Sequence, residues 1–111
     1  MKVENKENIT IFKDTQSNII RFADLVTNEI KNYSHQNIIL DISHDKEFTI
    51  NNLSMFLEVA KLHKKNKKSF IIVGNENLDY NKIPSKFVVV PSLQEAFDII
   101  EMDEIERDLG F

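Results

Sequence analysis

The sequence predicts an α/β fold with a mostly parallel, mixed sheet of four to five strands and helices packed against it. Three apolar runs predict strands covered on both faces, because β-branched and aromatic residues follow one another almost without interruption in NIILDI (37–42), SFIIV (69–73) and KFVVV (86–90). Amphipathic helical patterns separate and follow these runs, and such alternation is typical of parallel sheets with right-handed crossovers. At 111 residues, the chain has room for one domain.

The N-terminal part predicts a strand pair and a helix. ITIFK (9–13) alternates as a half-buried strand does, and we expect it to pair with KVE (2–4) through the NKEN turn. A helix follows over 19–30, where apolar residues recur at i, i+3, i+4 and i+7. Ser17 or Asn18 is expected to cap its start.

Two further helices are predicted after the central strand and after the last one. The second helix spans 52–65 and follows a polar loop, 43–52. The third opens at Ser92 and Glu95, which have capping-box spacing, and keeps its apolar residues on one face through Ile100. Because ligands and partners of parallel sheets usually meet the edge where strands end, the loop 43–52 is a candidate site.

The composition favours a soluble, cytoplasmic protein and argues against several classes of function. Cysteine is absent, so no disulfide, thiolate metal site or cysteine nucleophile can form. No apolar run approaches the roughly 20 residues of a membrane span, and the N-terminus has no signal-peptide pattern. A net charge of −4 and a pI near 5.3 disfavour general binding to nucleic acid. The lysines of KKNKK (64–68) are expected to lie at a helix C-terminus, where the helix dipole favours cations. Contact with nucleic acid or with an acidic partner is the alternative.

No residue pattern indicates an enzyme, a metal site or a cofactor. The three histidines lack the i, i+4 spacing of helical metal ligands. A metal held by His44 with Asp41 and Asp45 is a weaker interpretation than a solvated loop. Gly74 stands alone, whereas a loop that cradles phosphate needs several glycines. We therefore expect a protein without catalytic activity and without a cofactor.

Two stretches carry motifs of a known fold. Asp41 to Ser43 match a strand that ends Asp-Leu-Ser, and Leu53 matches the leucine of an Asp-Ser-Ser-Gly-Leu helix start. PSLQEA (91–96) is similar to a last strand leading into a Ser-Leu-Glu-Glu-Ala helix. Together these motifs resemble the STAS domain, the fold of bacterial anti-sigma factor antagonists. The resemblance covers 1–100 as a STAS-like domain and leaves 101–111 as an acidic amphipathic extension.

The chain departs from this family at the residue that regulated members phosphorylate. Where the family has Asp-Ser-Ser-Gly, this chain reads Thr49-Ile50-Asn51-Asn52, so Asn51 takes the place of the phosphorylated serine and has no hydroxyl. A phosphate switch works by bringing nearly two negative charges to a partner-binding surface, and Asn51 cannot carry them. Thr49 and Ser54 are the nearby hydroxyls and are the candidate phosphorylation sites, although Thr49 also suits an N-cap.

The resemblance implies a protein partner that binds the loop 43–52 and the helix 52–65. Met55, Val59 and Leu62 lie at helical spacing on the side of this helix away from its core residues. They predict either an exposed apolar stripe or an unusually broad buried face. The predicted contact residues are Ser43, His44, Asp45, Thr49, Asn51, Asn52, Met55, Val59 and Leu62.

The extension 101–111 predicts a further contact surface, because its apolar residues turn to a different face of the helix. They are Met102, Ile105, Leu109 and Phe111. Three arrangements are open: the segment folds onto its own domain, joins a dimer or docks in a partner's groove. We expect a monomer or a weak homodimer.

Two other functions remain as alternatives. The acidic and amide-rich loops are compatible with a carrier of a small ligand or nucleotide. The chain is also compatible with an accessory protein of an RNA-processing enzyme. It is not expected to be such an enzyme itself, because ribonuclease Z needs a His-x-His-x-Asp-His run for two zinc ions and this sequence has none.

Overall fold

A computed structural model describes residues 1–110, which form five strands, three α-helices and three short 3₁₀ helices. The strands are β1 (Lys2–Lys6), β2 (Ile9–Lys13), β3 (Asn37–Asp41), β4 (Phe70–Val73) and β5 (Val88–Val90). The α-helices are α1 (Ile19–Glu29), α2 (Leu57–Lys65) and α3 (Leu93–Asp108). The 3₁₀ helices span Ile30–Tyr33, Ile50–Phe56 and Tyr80–Lys82.

The strands form one sheet in the order β1-β2-β3-β4-β5. The first pair is antiparallel and the other three pairs are parallel. The α/β class, the mostly parallel mixed sheet and the N-terminal strand pair predicted from the sequence are therefore confirmed. The strands follow one another across the sheet in chain order. Right-handed crossovers between the parallel strands therefore place α1 and α2 on the same face of the sheet.

Both faces of the sheet are covered. On β3, Ile38 and Leu40 belong to the apolar cluster with α1 and α2, whereas Ile39 belongs to the cluster with Ala96 and Ile100 of α3. Successive side chains of a strand point to opposite faces. The central strands consequently read as continuous apolar runs, as the sequence indicated.

The caps predicted for the first and last helices are confirmed. The side chain of Asn18 accepts a hydrogen bond from the N–H of Arg21 at 3.2 Å and begins α1. The hydroxyl of Ser92 accepts from the N–H of Glu95 at 3.2 Å and donates to its carboxylate at 3.1 Å. The bonds that Asn18 and Ser92 accept satisfy N–H groups that have no partner within the first turn of a helix.

The second helix lies where it was predicted, but it has two parts. Its first part, Ile50–Phe56, is a 3₁₀ helix, and α2 continues from Leu57 to Lys65. A 3₁₀ helix has 3.0 residues per turn instead of 3.6. The faces of this segment therefore differ from those of one continuous α-helix.

The residues predicted as an extension continue the last helix. The helix α3 runs without a break from Leu93 to Asp108, so the predicted boundary at 100 falls inside it. Phe111 lies outside the described residues. No helix within residues 1–110 combines the length and the apolar character needed to cross a membrane.

Candidate functional site

The loops after β3 and β4 meet at the carboxyl edge of the parallel strands. Asn75 connects them, because its Nδ2 donates to the carbonyl oxygens of Asp45 at 2.9 Å and Phe48 at 3.3 Å. The loop after β2 joins the same edge, where the hydroxyl of Ser17 donates to the carbonyl oxygen of His44 at 3.4 Å. The edge is thus one continuous surface built from three loops.

Three buried aspartates shape this edge. Asp41 ends β3 and accepts through Oδ1 from the N–H of Ser43 at 3.1 Å and from its hydroxyl at 2.6 Å. Asp14 and Asp45 each accept through Oδ1 from a backbone N–H two residues further along. Their Oδ2 atoms have no hydrogen-bond partner within residues 1–110. Within that range, no group of three metal-ligating side chains comes together.

A shallow cleft of about 440 Å³ lies between the start of α1 and the loop 43–52. Asp45, Glu47 and Asn52 line one side of the cleft, and Ser17 and Ile20 line the other. Ile20 is 66% exposed. The sequence indicated the acidic and amide side of this cleft but not the contribution of α1, which depends on the tertiary arrangement.

Most of the predicted contact residues are accessible. His44, Thr49, Asn51, Met55 and Leu62 are exposed, while Ser43 and Asn52 are half-buried.

Two of the predicted contact residues, Val59 and Asp45, are buried in this structure and are not accessible to a partner. Val59 is 7% exposed and belongs to the core, because Phe56, Val59, Ala60 and His63 recur at i, i+3, i+4 and i+7 and form the buried face of this segment. Asp45 is 2% exposed and holds the loop backbone through its Oδ1. Met55 at 39% and Leu62 at 49% exposed are the apolar side chains of this helix that face water.

The two candidate phosphorylation sites are both exposed and both hydrogen bonded locally. Thr49 precedes the 3₁₀ helix, and its N–H and hydroxyl donate to Oδ1 of Asn52 at 2.8 and 3.2 Å. The hydroxyl of Ser54 donates to the carbonyl oxygen of Asn51 at 3.1 Å. Thr49 therefore occupies the N-cap position that was predicted for it.

A second structured region lies at the amino ends of β3 and β4, where the last turns of α3 dock. Asn37 is fully buried there, and its Oδ1 accepts from the N–H of Ser69 at 2.8 Å and from Nη2 of Arg107 at 3.2 Å. Its Nδ2 donates to Oε1 of Glu104 at 2.8 Å. The hydroxyl of Ser69 donates to Asp103 at 2.7 Å. We call these five residues the polar network.

The charges of the polar network are paired. Arg107 and Glu104 form an ion pair at 2.9 Å. The pKa of the Glu104 carboxyl is lowered, first by the hydrogen bond from Asn37 and then by Arg107. The ionised carboxylate is therefore the form that the fold favours.

The docking of α3 leaves an apolar stripe facing water. Met102, Ile105 and Leu109 are 61%, 53% and 67% exposed, and we call them the α3 stripe. The structure shows this segment docked on its own domain through its polar side, with its apolar side facing outward. The sequence indicated the change of face but not which side would dock.

His63 is a buried histidine to which the sequence assigned no role. Its Nε2 lies 3.0 Å from the carbonyl oxygen of Gln36 and must donate to it, and its Nδ1 has no partner within residues 1–110. Burial lowers its pKa, and the carbonyl groups of Gln36 and Tyr33 oppose this effect. The neutral imidazole joins α2 to the segment before β3.

No protein family and no curated protein matches this chain. The resemblance to STAS domains therefore stays a prediction, and inferences about function depend on the geometry described above.

Proposed function

We propose that this protein is a non-catalytic interaction module that binds a partner protein through the α3 stripe. The observation that carries the proposal is the exposure of three large apolar side chains, each more than half accessible, along one side of α3 and its C-cap. Apolar side chains scattered singly over a surface are ordinary, whereas a contiguous exposed patch marks an interaction site.

The polar network supports this proposal because it holds the stripe in place. Arg107 and Glu104 lie on the same turns of α3 as the stripe, and both bond to the buried Asn37. A helix fixed in this way loses little conformational freedom on binding, which favours affinity. The apolar side chains are thus presented by a rigid element of the fold.

The surroundings of the stripe define the chemistry of the partner. Asp98, Glu101, Glu106 and Asp108 are exposed and flank the apolar side chains on α3. The matching surface is an apolar groove or an amphipathic helix with a basic rim. A second copy of this chain docking through the same stripe would bring acidic rims together, so the proposed partner is a different protein.

We retain the loop 43–52, with Met55 and Leu62, as a second proposed contact surface of the same module. The finer identification as a STAS-like regulator is also proposed. It is supported by Asp41 at the end of β3 and by the buried Leu53 at the start of the following helix. Under this proposal Asn51 makes the surface constitutive, since it offers no hydroxyl for phosphate.

The experiment compares partner binding by the wild type and by the double variant Met102→Glu/Ile105→Glu. Both side chains are exposed, so folding should be retained, which circular dichroism checks. The matched control is Asn28→Glu, which adds a carboxylate at an exposed position of α1 outside the proposed surfaces. Crosslinking and affinity purification from the native cell identify bound proteins, and the affinity of each purified partner is then measured by calorimetry.

We expect the double variant to lose affinity by about a hundredfold, because two apolar anchors contribute roughly 1–2 kcal/mol each. The control variant should bind as the wild type does. Equal binding by all three proteins would refute the role of the stripe. In that case Met55→Glu, tested with the same partner, would decide whether the loop 43–52 surface carries the function instead.

A further inference from the structure

A second cleft, separate from the surfaces above, lies where the amino end of β4 meets the segment before β5 and the end of α3. Its volume is about 250 Å³. Cationic side chains from four parts of the chain line it, namely α2, the α2–β4 turn, the segment before β5 and α3. They are Lys64, Lys67, Lys68, Lys86 and Arg107, and we call this site the cationic cleft.

Arg107 is paired with Glu104, so the free positive charge of this cleft comes from its four lysines. The chain as a whole carries a formal charge of −4, so the five cationic side chains at this site concentrate positive charge on an otherwise acidic protein. Asp103 is the acidic residue among the lining residues, and Ser69 already donates to its carboxylate. Within residues 1–110, none of the four lysines forms an ion pair. An anion entering the cleft would therefore meet a positive potential.

The backbone at the end of α2 brings two of these lysines to the cleft. The N–H of Lys67 bonds to the carbonyl oxygen of Lys64, and that of Lys68 bonds to the carbonyl oxygen of His63, both at 3.0 Å. This pair of bonds is the Schellman arrangement, in which the position of Lys67 normally belongs to glycine. Lys67 has φ +60, a left-handed conformation that is strained for lysine. Such strain is often found at functional positions.

The remaining lining favours a small ligand over an extended chain. Ser85 places a hydroxyl group in the cleft, whereas that of Ser69 is already bonded to Asp103. Phe70, Ile71 and Val88 provide apolar surface. The exposed face of α3 nearby is acidic, so a long polyanion that extended beyond the cleft along that face would be repelled. A compact anion is confined to the positive region.

We propose that the cationic cleft binds a small molecule that carries one or more phosphate groups. The four lysines pair with the phosphate oxygens, and the hydroxyl of Ser85 donates a further hydrogen bond. The site is independent of the α3 stripe, because its ligand contacts the inner edge of the sheet and not the outward face of α3.

The test titrates the full chain with inorganic pyrophosphate by calorimetry, and maps the site by amide chemical shifts. We expect one saturable site, with shifts confined to the α2–β4 turn, the segment before β5 and the end of α3. The variant Lys64→Gln/Lys86→Gln removes two charge-assisted contacts and should weaken binding by about a hundredfold. Lys31→Gln, which removes an exposed lysine outside the cleft, should bind as the wild type does.

The variant Lys67→Gly separates binding from folding. Glycine relieves the left-handed strain, so the melting temperature should rise while the affinity for pyrophosphate falls by about tenfold. Absence of saturable binding, or equal weakening by Lys31→Gln, would overturn the proposal. Binding of a single-stranded RNA oligonucleotide that pyrophosphate fails to displace would also overturn it, in favour of a nucleic-acid site. The Met102→Glu/Ile105→Glu variant should bind pyrophosphate normally, whatever its effect on the protein partner.

Discussion

Replacing Asn37 by alanine should destabilise the protein more than any surface substitution, because this one buried amide makes four hydrogen bonds. The largest loss concerns Ser69, which is 5% exposed and whose N–H would be left without an acceptor. An unsatisfied buried N–H costs about 1–3 kcal/mol. The bonds to the half-buried Glu104 and Arg107 can be replaced by water, which adds about 1 kcal/mol. The free energy of unfolding should therefore fall by roughly 2–4 kcal/mol.

The assay is urea denaturation followed by circular dichroism, which should also show a melting temperature lower by roughly 8–16 °C. The control is Asn28→Ala, an exposed position on α1 that should change stability by less than about 0.5 kcal/mol. The carboxyl resonance of Glu104 gives a second readout, since its pKa should rise toward the ordinary value without the bond from Asn37. A loss of stability no larger than that of the control, or an unchanged Glu104 titration, would refute the reasoning.

Three further predictions use the same denaturation assay. Burial lowers the pKa of His63, so below its ordinary value of 6.5 the unfolded chain takes up a proton before the folded chain does. Stability should therefore fall as pH is lowered from about 7.5 to 5, and His63→Gln should flatten this slope; an unchanged slope would contradict the assignment. Gly74→Ala should lower the free energy of unfolding by about 1–3 kcal/mol, because the new Cβ would lie 2.5 Å from Cδ1 of Leu78. An unchanged stability would show that the Leu78 side chain or its loop moves to make room. Asn52→Ala should cost about 1 kcal/mol by removing the acceptor that begins the 3₁₀ helix, whereas Asn51→Ala, beside it, should have little effect.

The elements of the fold could be predicted because their signals are local. NIILDI and SFIIV are apolar without interruption, and only strands covered on both faces require that pattern at this length. The cap residues Asn18 and Ser92 act on N–H groups three positions away, so their sequence spacing determines their geometry. Such features need no knowledge of distant parts of the chain.

The surfaces could not be predicted in the same way, because they depend on contacts between distant positions. Asn37 and Arg107 are 70 positions apart, and nothing in the sequence near either residue indicates that they form a hydrogen bond. Whether the polar or the apolar side of the last helix docks depends on that contact. The burial of Val59 was missed because the buried face of α2 includes His63, a polar residue that the apolar pattern did not count.

The α3 stripe and the cationic cleft share the end of α3, yet they use different side chains, so each can be changed without the other. The polar network fixes the end of α3, which carries the α3 stripe on its outward side and Arg107 of the cationic cleft on its inward side. Substitutions within the stripe or among the lysines should therefore affect one binding activity each. The Asn37→Ala variant, where it remains folded, should weaken both, because it loosens the helix that both surfaces need. A loss confined to one activity would mean that the other surface is organised without α3.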